Sequence, residues 1–206
     1  MAINIPLNWG KLYHMSSTDA TMNYILKLIR QKNDSKYMMT AGVCVNVFNM
    51  NVAAEKLANT YKAISTQHPN SIVYTVVNSQ SLNGISHQNW LCLDLPHKKM
   101  IRFEPSDDYS EFQTKEFCQQ CLANFNSTIE YTLINPKLLK NTSLQACRPI
   151  STYLASMHLS NKSLHEIDNI KIFTYLFQQQ ISENDLDEIK CLNRETRSSK
   201  IYKFTH

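Results

Sequence analysis

Glycine is scarce in this sequence. Its 206 residues hold three, at positions 10, 42 and 84. A phosphate-cradling loop needs several glycines in close spacing, so nucleotide binding of that kind is excluded. Long apolar runs are also missing: none approaches the roughly 20 residues that a membrane-spanning helix needs. The opening residues, MAINIPLNWGKLYH, have neither the basic start nor the continuous apolar core of a secretory signal. The expectation is a protein of a reducing compartment, either cytoplasmic or delivered into a host cell's cytoplasm without a cleaved signal. Asn-x-Ser/Thr sequons such as those at Asn126 and Asn141 then carry no meaning. Internal repeats and low-complexity linkers are absent. Charge of one sign is weak: the formal net charge is +4, with no basic stripe interleaved with aromatics, so nucleic acid is not an expected partner.

The composition that remains, 43% hydrophobic and 18% charged, is that of an ordinary globular protein. The length suits one catalytic-type domain over 1–206, with roughly the first 18 residues as an arm and 160–206 as a C-terminal helical, regulatory part. Basic residues gather at Lys27, Arg30 and Lys32 and again at Arg194, Arg197, Lys200 and Lys203. Two solvated faces are the plain reading of that distribution, and a small polyanion could bridge them if folding brings them together. The six cysteines, at 44, 92, 118, 121, 147 and 191, read as free thiols. Cys118 and Cys121 form a lone CxxC. A zinc site takes about four ligands, and no second pair follows, so no metal is expected.

Periodicity gives the elements. Asp19 to Arg30 places Met22, Ile25, Leu26 and Ile29 on one helical face. Ala41 to Met50 is rich in β-branched residues and predicts a strand. Val52 to Gln67 returns to helical spacing until His68-Pro69-Asn70 stops it. Ser71 to Val77 predicts a buried strand, and Asn89 to Leu95 with Met100 to Phe103 a hairpin turning at Pro96-His97. A helix follows around Phe112 to Ala123, a strand at Ser127 to Asn135, and a helix from Cys147 to Leu159 with Pro149 in its first turn. Further helices are expected over Leu164 to Gln180 and Glu183 to Cys191. The order implies an α+β fold, a mixed central sheet flanked by helices.

The hairpin carries the chemistry. A hairpin sets distant residues across from each other, and this one brings His87, before its first strand, towards Glu104, after its second. A His oriented by a carboxylate is the general-base half of a nucleophilic triad. The third member would be Cys147, which opens a helix whose dipole favours a thiolate. Gln145, two residues earlier, is a candidate oxyanion donor. Each residue also has a plain reading: a surface histidine, a solvated strand end, a small buried thiol.

FEPSDDYSEF, CRPISTYLASMHL, HEIDNIK and the tail IYKFTH, in that order, resemble segments of the YopJ family of effector acetyltransferases. FEPSDDYSEF, with Glu104, is similar to that family's acidic member, and the strand-turn-strand before it resembles its His-bearing hairpin. CRPISTYLASMHL from Cys147 matches the nucleophile helix without a gap. HEIDNIK, with Asp168 and Asn169, and the tail IYKFTH, with Tyr202, Lys203 and Thr205, resemble later family segments. The resemblance spans about residues 20–206 and implies a cysteine-protease-like fold of the adenain and SUMO-protease type, with the nucleophile at a helix N-terminus. It also implies ping-pong acetyl transfer from acetyl-CoA through Cys147 to a Ser, Thr or Lys of a host target protein. His87 would be the base, Glu104 its orienting partner, and inositol hexakisphosphate an activator held by Lys27, Arg30, Lys200 and Lys203. Two positions depart from the pattern. Arg148 and Pro149 follow the Cys where the family carries Gly, and alignment on the apolar alternation puts the family's His on Asn89, which cannot act as a base. A cysteine protease of the same fold and a catalytically degenerate binding module are the alternatives. If the base is His87, activity is expected to fall as pH drops through its pKa.

Overall fold

The structure, a computed structural model, describes residues 17–105, 112–135 and 147–161. The chain divides into two compact units, Met15–Leu164 and a second made of Met1–His14 with His165–His206. Every described residue belongs to the first. The helices expected after Leu164, and the tail, lie outside the described residues.

Helix α1, Thr18–Lys32, begins where the Ser17 side chain accepts a hydrogen bond from the Ala20 N–H and ends at Asn33, whose φ of 49° closes the helix in the left-handed region. Asp19 in the first turn and Arg30 and Lys32 in the last suit the helix dipole. Thr21, Ile25 and Ile29, four apart, form its buried stripe.

The strand expected over Ala41–Met50 is a different object. Two three-residue strands, β1 (Tyr37–Met39) and β2 (Val43–Val45), lie parallel to successive halves of one edge of β3 (Ile72–Gln80). Two asparagines end the β-branched run. Asn46 Oδ1 accepts from the N–H groups of Phe48 and Asn49, and Asn49 Oδ1 accepts from the Asn46 N–H at 2.8 Å. Such side-chain turns compete with a strand ladder and win here. Gly42, between the two strands, passes so close to β3 that a Cβ would stand 2.8 Å from Val76 Cγ1. Helix α2 follows at Met50–Gln67, burying Ala53, Ala54, Leu57, Ala58 and Tyr61.

β3 pairs antiparallel with β4 (Ser86–Asp94), which pairs antiparallel with β5 (Lys99–Phe103). Helix α3 (Thr114–Phe125) then crosses over to β6 (Glu130–Ile134), parallel to β5. Among the described residues the sheet has six strands, mixed in direction, as an α+β reading requires. β4 is its centre and is buried from His87 to Asp94. One face of β4 holds His87, Asn89, Leu91 and Leu93, and the two leucines join Val73, Val77, Met100 and Phe117 in a core against α2 and α3. The other face holds Gln88, Trp90 and Cys92 and is covered by α1 and by α4, Cys147–Leu159.

Candidate active site

β4 begins three residues earlier, and β3 ends three residues later, than the apolar pattern suggests. Asn78, Ser79 and Gln80 pair with Gln88, His87 and Ser86. These polar residues form strand because each finds a ladder partner, although nothing in their hydropathy alternates. The extension places His87 inside the sheet with 2% of its surface exposed. Trp90 pairs with Phe103, so Glu104 continues β5 opposite Asn89 and stands diagonal to His87 on the same face. Glu104 is fixed there by its own N–H, which donates to the carbonyl of Ile134 in β6 at 3.0 Å.

His87 Nε2 and Glu104 Oε1 are 2.7 Å apart, both side chains buried. Phe112 stacks on the imidazole with ring centroids 5.0 Å apart. Ser79, the ladder partner of His87, has its hydroxyl bonded to Thr114 of α3. Nδ1 of His87 is buried and makes no formed hydrogen bond, yet Cys147 lies near enough to act on the ring. Burial pulls the imidazolium down, but the nearby Cys147 sulfur and the hydrogen-bonded, charged Glu104 outweigh it and raise the His87 pKa to about 9. The titration of His87 therefore falls near 9 rather than in the range of an ordinary histidine, which moves the pH limb expected from sequence.

Cys147 is the first residue of α4 and 2% exposed. The Gln88 backbone N–H donates to its sulfur at 3.3 Å. The first turn of α4 is tied to the sheet beneath it. Trp90 Nε1–H donates to Thr152 Oγ1 at 3.0 Å, the Gln88 side-chain amide reaches the same oxygen at 3.4 Å, and Thr152 itself donates to the carbonyl of Arg148 at 2.7 Å. Arg148 and Pro149, where a glycine was expected, are accommodated inside the helix, which still opens on Cys147.

Asn89 does not take the place of the base. Its Oδ1 accepts from Arg102 Nε at 3.0 Å, and Arg102 also donates through Nη2 to Glu104 Oε2 and through Nη1 to the Tyr131 hydroxyl at 3.5 Å. Sequence reasoning missed Arg102. The only signal was its period-two spacing from Glu104, which puts a guanidinium on the face of a carboxylate inside a strand.

Lys27 and Arg30 are exposed on α1. Gln145, Lys200 and Lys203 lie outside the described residues. Among the described residues no cluster of three or more His, Cys, Asp or Glu could hold a metal ion, and no helix is long and apolar enough to cross a membrane.

No family model and no curated protein matches the chain. Solved structures do. A structure of the SUMO protease Ulp1 with its catalytic cysteine oxidised to a sulfenic acid is 9% identical, covers 84% of this chain and 83% of its own, and gives a TM-score of 0.49. The Ulp1 protease domain in complex with SMT3, the yeast ortholog of SUMO, is 12% identical over 84% and 81%, with a TM-score of 0.45. A deletion variant of AvrA with IP6 and CoA is 15% identical over 98% of this chain and 80% of its own, also at 0.45.

Proposed function

We propose that this protein is a YopJ-like effector acetyltransferase, carrying acetyl from acetyl-CoA on Cys147 to a Ser, Thr or Lys of a host protein. The observation that carries the reading is the buried His87–Glu104 contact at 2.7 Å beside a cysteine that opens a helix. His87 takes the Cys147 thiol proton, Sγ attacks the acetyl carbonyl, the bond between that carbon and the CoA sulfur breaks, and CoA leaves as the thiol with the proton from His87. The acceptor oxygen or nitrogen then attacks the thioester and gives its proton to His87, and Cys147 leaves as thiolate. Glu104 holds the ring in the required tautomer and stabilises its charged form. The Gln88 N–H holds the sulfur in line, and Gln145 remains the proposed oxyanion donor.

Two observations support this reading over its alternatives. A degenerate module would leave the carboxylate facing Asn89, whereas His87 engages it. A protease needs an open groove for an extended peptide, whereas His87, Glu104 and Cys147 are each 2% exposed or less, which suits a slender thioester arm. Lys27 and Arg30 are exposed on α1 and suit inositol hexakisphosphate as the activating polyanion. Such a protein would act in the host cytoplasm.

The test is intact mass after incubation with acetyl-CoA, with and without inositol hexakisphosphate, on wild type and Cys147→Ala. One acetyl adduct that vanishes in the Ala variant is the expected result. No adduct under either condition, with the protein folded, overturns acetyl transfer.

A further inference from the structure

Arg102 is among the largest side chains withdrawn wholly from solvent, at 1% exposure. A guanidinium there is costly to desolvate and is retained only where its donors are matched. They are matched by the parts of one site: Nε to Asn89, Nη1 to Tyr131 and Nη2 to Glu104. The carboxylate is thereby divided, with Oε2 on Arg102 and Oε1 on His87. Asn89 is spent on this task alone, since its Nδ2 is buried without a partner.

We propose that Arg102 is a positioning residue for the His87–Glu104 pair. Its fork fixes which carboxylate oxygen meets the imidazole, and its charge limits how tightly that carboxylate holds the imidazole's proton. A buried carboxylate with no second partner would clamp the proton on His87. The base would then be slow to release it to a leaving group. Sharing the carboxylate with a permanent cation leaves the proton transferable. Among the described residues the groups facing His87 are few. Glu104 follows β5 and Cys147 opens α4; Arg102, from β5, acts through Glu104, and Tyr131 of β6 acts through Arg102. Among the described residues, β3 and α3 add the hydroxyls of Ser79 and Thr114, and Phe112, just before α3, adds its ring; none of these titrates in the range concerned.

The inference rests on His87 being the base of the proposed reaction, and its test does not need a substrate. Histidine-labelled protein is titrated by NMR of the imidazole nitrogens, following His87. In the wild type the midpoint is expected near 9. Arg102→Gln keeps a hydrogen-bonding side chain but removes the charge, and is expected to move the midpoint up by about one pH unit or more. Arg102→Lys is expected to leave it near the wild-type value. If Arg102→Gln does not fold, Asn89→Asp gives the second reading. It loses only an amide that has no partner, sets a competing carboxylate on the same guanidinium, and is expected to move the midpoint the same way. An unchanged midpoint in a folded variant overturns the proposal. So does a midpoint that falls towards 6.5, because a purely structural arginine would let the pair come apart. A wild-type midpoint already at 6.5 would instead remove His87 as the oriented base, and with it the reading on which this inference stands.

Discussion

Glu104 reaches His87 across a diagonal of the sheet, with one oxygen committed to the ring and the other to Arg102. That division sets what a single substitution should do. Glu104→Gln keeps the size of the side chain and removes the charge that selects the ring tautomer. On the proposed reaction, the expected outcome is a fall in Cys147-dependent acetyl transfer of about 10²–10⁴-fold. Initial rates of acetyl transfer, with circular dichroism to show that the fold persists, check it. A loss smaller than threefold in a folded variant would remove Glu104 from the mechanism. The three residues of this trio were legible in the sequence as types and spacings. What spacing could not decide was whether His87 or Asn89 faces the carboxylate. Register decides it: Asn89 stands directly opposite Glu104, but Arg102 has taken its oxygen, and the longer reach along the diagonal belongs to the imidazole.

At the scale of elements, α4 was legible to the residue, because its apolar face and the proline of its first turn agree. The hairpin of β4 and β5 was legible in its core, whereas the facing ends of β3 and β4 were not, because Asn78-Ser79-Gln80 and Ser86-His87-Gln88 make strand by pairing with each other and not through apolar alternation. The strand expected at Ala41–Met50 is cut down to Val43–Val45 because β propensity ignores side chains that bond their own backbone, as Asn46 and Asn49 do. What joins α4 to the sheet is equally invisible to periodicity. Thr152 accepts the buried indole N–H of Trp90 and passes a hydrogen bond on to Arg148. Thr152→Val is close in shape and strands that N–H, so a loss of about 1–3 kcal/mol in unfolding free energy is expected. Urea denaturation measures it. A variant as stable as the wild type would show that water replaces the hydroxyl and that this contact does not seat the helix.

For the whole molecule, two histidines make stability depend on pH in opposite directions. His87 has a folded pKa raised to about 9, above its unfolded value. Its contribution is fully present below about pH 6.5 and is lost as pH rises through about 9. Burial lowers the pKa of His158, whose Nδ1 lies 2.8 Å from the Tyr74 hydroxyl. Its contribution is present above the unfolded value and is lost as pH falls below about 6.5. The melting temperature is therefore expected to pass through a maximum and decline on both sides. His87→Gln should flatten the alkaline decline and His158→Gln the acid one. Thermal melts from pH 5 to 10 on the three proteins check this, and an alkaline decline untouched by His87→Gln would contradict the assignment.

The interrupted edge made by β1 and β2 bears on how copies of this chain meet one another. A sheet edge is a template: a row of unpaired amides and carbonyls invites a strand from a second molecule. Here the outer row beside β3 is cut into two pieces of three residues, with the close passage at Gly42 between them. An incoming strand finds no continuous length to zip against. A side chain at position 42 would push the chain away from Val76 and disturb the break. The residue that lets the chain hug β3 is thus also part of what keeps this flank a poor seed for aggregation.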